Sequence, residues 1–158
     1  MTPIIIAISV ALFLGVAGGL MTPIDSWYRA LRKPSWQPPD WAFGPAWTII
    51  LGLAAWSAVL AWQAAMGETQ RATVIILFAS NAICHLKWSP LFFRWRRPDW
   101  ALVEVAFLWA SLVALVVLLW PISALASALI WPYLAWVSFA AYLNWTIVKL
   151  NGPFGRSA

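Results

Sequence analysis

From Val105 to Val148 the chain runs 44 residues without a charged side chain. Two more uncharged runs precede it, Met1–Ile24 with 24 residues and Trp41–Gly67 with 27. A membrane span needs roughly 20 mainly apolar residues. Lipid offers no hydrogen-bond partners, so backbone groups in such runs must pair within their own segment, as helix. Strands of a barrel would alternate in polarity, and these runs do not. Only 9% of the residues are charged and 63% are hydrophobic. A soluble domain carries about 25% charged residues, so this chain cannot cover a globule in water.

The expected fold class is an all-α membrane protein: a single domain over 1–158 forming a five-transmembrane-helix bundle. The spans are placed at about 3–20, 43–65, 72–93, 100–119 and 124–149. Trp120-Pro121-Ile122-Ser123 splits the longest apolar run, because proline disfavours continuation of a helix. Met66–Arg71 reads as a short polar turn and Arg94–Asp99 as a basic one. The first segment lacks a basic leader and reads as a retained helix rather than a signal peptide. Residues 21–42 form the longest connection, with Lys33-Pro34-Ser35-Trp36-Gln37-Pro38-Pro39 too proline-rich for a long helix. This proline- and tryptophan-rich loop is expected to fold as a lid over one mouth of the bundle.

With five spans, Arg29, Arg32, Lys33, Arg94, Arg96, Arg97, Lys149 and Arg156 share one side, against Arg71 on the other. The positive-inside rule puts the eight in the cytoplasm, giving an outside N-terminus and a cytoplasmic C-terminus. The net charge of +5 therefore reads as topology and lipid headgroup contact, not nucleic acid binding. A lone cysteine, Cys84, excludes an intramolecular disulfide.

Fourteen tryptophans are the strongest anomaly. Trp41, Trp62, Trp95, Trp100, Trp120 and Trp145 fall near span ends, where indoles form interfacial belts. Trp47, Trp56, Trp88, Trp109 and Trp136 lie deeper, as packing or as walls for a flat aromatic ligand. Asn81, His85, Trp88 and Phe92 recur at helical spacing. Polar groups in hydrocarbon face protein or a cavity, so this face is expected to look inward, for interhelical hydrogen bonding or to line a pocket. Lys87 and Glu104 could pair across two helices. Ala7, Ala11, Gly15 and Gly19 form a small-residue ridge on the first helix, suited to close contact within the bundle or across a dimer seam. No nucleophile triad, metal-ligand cluster or phosphate loop is present in the sequence.

Four stretches together resemble the tryptophan-rich sensory protein family, TspO/MBR, which includes the translocator protein or peripheral benzodiazepine receptor. They are Trp27-Tyr28-Arg29-Ala30-Leu31-Arg32-Lys33-Pro34-Ser35-Trp36-Gln37-Pro38-Pro39, Phe43-Gly44-Pro45-Ala46-Trp47-Thr48, Trp88-Ser89-Pro90-Leu91-Phe92-Phe93 with Trp100-Ala101-Leu102-Val103-Glu104, and Pro132-Tyr133-Leu134-Ala135-Trp136. The resemblance implies a homodimeric five-helix bundle with a pocket beneath the lid that binds tetrapyrroles such as protoporphyrin IX or haem. Carried over by position, the ligand-binding residues are Tyr28, Trp47, Asn81, His85, Trp88, Trp136 and Ala140. Trp47 and Trp136 match tryptophans linked to light-dependent porphyrin breakdown in some members, which makes them the catalytic candidates. The chain departs from the family at Asn81 and His85, where glutamine and asparagine are common, and at Lys87. The sterol-recognition pattern is incomplete: Val137 and Tyr142 fit, but Lys149 stands one residue too far. A neutral imidazole facing a tetrapyrrole can be an axial iron ligand, so His85 is a candidate for that role. The function classes are a membrane tetrapyrrole sensor or carrier, a light-dependent porphyrin-degrading enzyme, and a small-molecule or sterol transporter.

Overall fold

A computed structural model describes residues 1–155, so Arg156 lies outside the described residues. The chain forms α1 (Thr2–Leu20), α2 (Ser26–Ala30), α3 (Asp40–Ala64), α4 (Glu68–Ser89), a π-helical turn (Pro90–Arg94), α5 (Pro98–Leu119), α6 (Ala124–Ala128) and α7 (Trp131–Asn151). Five segments are long and apolar enough to cross a membrane: α1, α3, α4 with its π-turn, α5, and α6 with α7. The protein is an integral, multi-pass membrane protein.

Three boundaries differ from the sequence expectation. The second span begins at Asp40 rather than near 43, because Pro39 stands at the N-cap and Asp40 places an acid against the positive helix start. The third span begins at Glu68, one turn early, with Gly67 at φ +98° turning the chain in a conformation that favours glycine. The last span is not one helix. Pro132 has no N–H to donate and its ring excludes the carbonyl four residues back, so α6 ends at Ala128 and α7 starts at Trp131. The break at 120–123 is present, and Ser123 caps α6 by accepting from Ala126 N–H.

Packing centres on α5. Leu108, Leu112, Leu115 and Leu119 form its buried stripe at helical spacing, sealed against α4 and α7. Asn81 Nδ2 donates to Ser111 Oγ at 2.9 Å across the α4–α5 seam. With its amide turned to match its neighbours, Asn144 on α7 donates to the Pro98 carbonyl and accepts from Leu102 N–H, 3.1 Å each. It thereby ties α7 to the backbone at the start of α5. At the opposite end Ser57 Oγ donates to the Ala126 carbonyl, tying α3 to α6.

α1 is a satellite. Leu14 is its one buried residue among those described, and Ile5, Ile6 and Phe13 are exposed on the side away from the gap. It packs chiefly on α3, while α3 touches α4 and α7 only sparsely. The inner faces of α3 and α1 therefore stand off from the α4–α5–α7 core. The ridge of Ala7, Ala11, Gly15 and Gly19 faces this interior, with Gly15 against Leu51 of α3.

Candidate functional site beneath the lid

The gap left by that uneven packing is a cavity of about 810 Å³ bounded by α1, α3, α4 and α7. This falls within the usual range for small-molecule sites, about 300–1,000 Å³. Trp47, His85, Trp88, Trp136 and Ala140 line it, together with Phe43, Trp56 and Phe92. Tyr28 closes it from the lid side.

The lid is held at both ends of its length. Asp25 caps α2 by accepting from Tyr28 N–H at 2.9 Å and pairs with Arg96 at 3.2 Å. Tyr28, 6% exposed, is packed against Phe92 and Phe93 of the π-turn. Its hydroxyl donates to Asp40 Oδ1 at 3.1 Å, and Lys33 Nζ sits 3.5 Å from its ring centroid. Farther along, Asn151 at the end of α7 clamps the backbone of Arg32. Its Oδ1 accepts Arg32 N–H and its Nδ2 donates to the Arg32 carbonyl, both at 2.8 Å. Trp36 stacks on Tyr142 at 5.2 Å.

The aromatic wall is built of two groups of touching rings. Trp47 meets the His85 ring edge-on at 4.8 Å, Tyr133 at 5.8 Å and Trp136 at 6.4 Å. Phe43 and Phe139 extend it on either side of Trp136. Trp88 joins Phe92 and Phe93 under the lid. Edge-on and tilted contacts of this kind are the favoured aromatic geometries. Outside the bundle, a shallow apolar groove of about 400 Å³ runs between α3 and α7, and Trp136 lines it as well.

Of the seven sequence-derived ligand residues, the fold brings six to the cavity. Asn81 is the exception. Four residues along a helix advance by slightly more than one turn, about 40°, and that rotation carries Asn81 from the cavity to Ser111. Trp109 also turns away, donating its indole N–H to Ser138. Lys87 and Glu104 make no ion pair. Lys87 is exposed, and both Glu104 oxygens are buried without a hydrogen-bond partner among the described residues. Sequence reasoning missed Tyr133, whose hydroxyl lies 2.9 Å from His85 Nδ1 behind the cavity wall. Its spacing of three and seven from Trp136 and Ala140 was the available signal. Among the described residues no cluster of three or more metal-ligating side chains occurs.

The TspO/MBR family model matches residues 7–150. The chain belongs to the TspO/MBR family. It is 38% identical over 148 residues to tryptophan-rich protein TspO of Chlorobaculum tepidum, covering 92% of this chain and 94% of that one. Similarity to the Homo sapiens translocator protein is 35% over 126 residues, 79% of this chain and 75% of that protein. Protein CrtK of Rhodobacter capsulatus is 32% identical over 137 residues, 87% and 85% of the two chains. In this TspO/MBR member the motif residues of loop, α3, α4 and α7 converge on one cavity, although they are scattered over the sequence.

Burial, reinforced by the nearby Asp40 carboxylate, pushes the Tyr28 hydroxyl from 10.0 up to about 12. The docked lid thus holds this proton more tightly than a released lid. Its contribution to docking is complete below about pH 10 and is lost as pH rises toward about 12. The tyrosinate absorbance that disappears in Tyr28→Phe should titrate with a midpoint near 12; a midpoint near 10 would show an undocked side chain.

Proposed function

We propose that this protein binds a flat hydrophobic ligand of the tetrapyrrole class, protoporphyrin IX or haem, in the cavity beneath the lid and serves as its membrane sensor or carrier. The observation that carries this reading is the aromatic-walled cavity of about 810 Å³ closed by Tyr28. Flat indole and phenyl surfaces suit a macrocycle, and Arg29, Arg32 and Lys33 on the lid supply charge for acidic substituents at the mouth. Relatives bear the names translocator protein and tryptophan-rich sensory protein, which support transport and sensing as the two forms of this role. Tryptophan-fluorescence titration with protoporphyrin IX, haem and a sterol should rank a tetrapyrrole first. Trp47→Ala or Trp136→Ala should each weaken that binding by ~0.5–1.5 kcal/mol, about two- to tenfold. A sterol that binds tighter than both tetrapyrroles removes the reading.

A second reading is light-dependent porphyrin degradation. Trp47 and Trp136 touch at 6.4 Å and both line the cavity, so either indole could donate an electron to an excited ring. Pigment loss under illumination should stop in the Trp47→Phe, Trp136→Phe double variant; loss that persists excludes these indoles as the donors.

The lid end of the bundle carries Arg29, Arg32, Lys33, Arg94, Arg96, Arg97 and Lys149, and Arg71 stands at the opposite end. This asymmetry supports a cytoplasmic lid and C-terminus with the N-terminus outside. A C-terminal green fluorescent protein fusion should be bright and a C-terminal alkaline phosphatase fusion inactive; the reverse pattern inverts the topology.

A further inference from the structure

Among the lining residues of the cavity, Trp88 Nε1 and Trp136 Nε1 lack a partner among the described residues, but both are buried away from the open space. Of the wall hydroxyls, Thr22 and Thr48 donate to the helix carbonyls of Gly18 and Gly44, and Ser89 pairs with Thr22. His85 decides whether a donor faces that space.

Tyr133 is 1% exposed; its hydroxyl lies 2.9 Å from His85 Nδ1 and beside the Asn81 amide, whose Nδ2 donates to Ser111 Oγ. A neutral imidazole has one donor and one acceptor nitrogen. If Nδ1 were the donor, the phenol oxygen would face two donors, Nδ1–H and the Asn81 Nδ2, and its buried proton would have nothing to accept it, an arrangement folded interiors avoid. With the phenol as donor, the bond is satisfied from both sides. Nδ1 is then the acceptor and the ring proton sits on Nε2. We assign the tautomer on this ground. Nε2 makes no hydrogen bond to the described residues and looks toward α1, where a Cβ added at Gly18 would stand 3.9 Å away. The missing side chain keeps that space open.

We propose that the cavity selects ligands by a carbonyl-type acceptor oxygen, with His85 Nε2–H as the donor and Tyr133 as the positioning residue that sets its tautomer. Axial ligation of iron needs a lone pair on Nε2, so the same assignment removes His85 as a haem ligand. The inference shares with the tetrapyrrole reading only the premise that this cavity takes a ligand.

The test uses fluorenone and fluorene, two flat molecules of one shape that differ by a carbonyl against a methylene. Binding is measured to the full chain in nanodiscs, corrected for partition into empty discs. Wild type should prefer fluorenone by about tenfold, and His85→Phe should bring the pair within about twofold. His85 is the sole histidine, so nitrogen NMR of histidine-labelled protein reads its tautomer without assignment. The spectrum should show protonated Nε2 in wild type and a mixture of tautomers in Tyr133→Phe. Equal affinities in wild type, a protonated Nδ1, or a haem Soret band that shifts between wild type and His85→Phe overturns the proposal. Protoporphyrin IX titrated in parallel separates the two ideas. Binding of porphyrin without carbonyl preference sinks this one alone, and carbonyl preference without porphyrin binding sinks the other.

Discussion

The leucine stripe of α5 is the interaction on which the rest of the structure rests. Lipid tails are as apolar as leucine, so helices in a bilayer gain little from hiding apolar surface and associate through close packing and interhelical hydrogen bonds. Leu108, Leu112, Leu115 and Leu119 provide that packing between α4 and α7, and the Asn81–Ser111 and Asn144–α5 bonds lock it. With three helices fixed to one another, α3 and α1 need only lean on them. The cavity is the space that a densely packed half leaves beside a loosely packed one.

A hollow in the membrane would fill with lipid were its mouth not shut. The lid does this with polar contacts, because it sits at the interface where water and headgroups are near. Asp25 joins α2 to Arg96, Tyr28 bonds Asp40, and Asn151 holds the Arg32 backbone. Three separate places, the loop after the π-turn, the start of α3 and the end of α7, each contribute one fastening. The proline-rich segment suits the task, since its restricted backbone loses little entropy when docked.

Much of this was legible in the chain. The uncharged runs dictated five spans because length and charge decide what a bilayer accepts, and the break at Pro121 followed from proline chemistry. The split at Pro132 was equally written there but hidden inside an apolar run that read as one helix. Six of the seven residues expected to bind a ligand reach the cavity because the motif spacing encodes a helical face. Asn81 does not, because periodicity fixes relative angles on a helix and not which neighbour that face meets. The Tyr133–His85 bond was beyond reach for the same reason: it joins two helices 48 residues apart in sequence. Glu104 and Lys87 illustrate the limit from the other side, since opposite charges at similar depth do not pair unless their helices turn them together.

Trp136 borders two compartments at once, the interior cavity and the shallow groove on the outer surface between α3 and α7. Those helices touch sparsely, and Trp136 is the one side chain common to both linings. A molecule dissolved in the acyl chains and resting in the groove is one ring's thickness from the interior. Exchange by that route would depend on the torsion of one indole rather than on prising helices apart, and the lid could stay shut throughout.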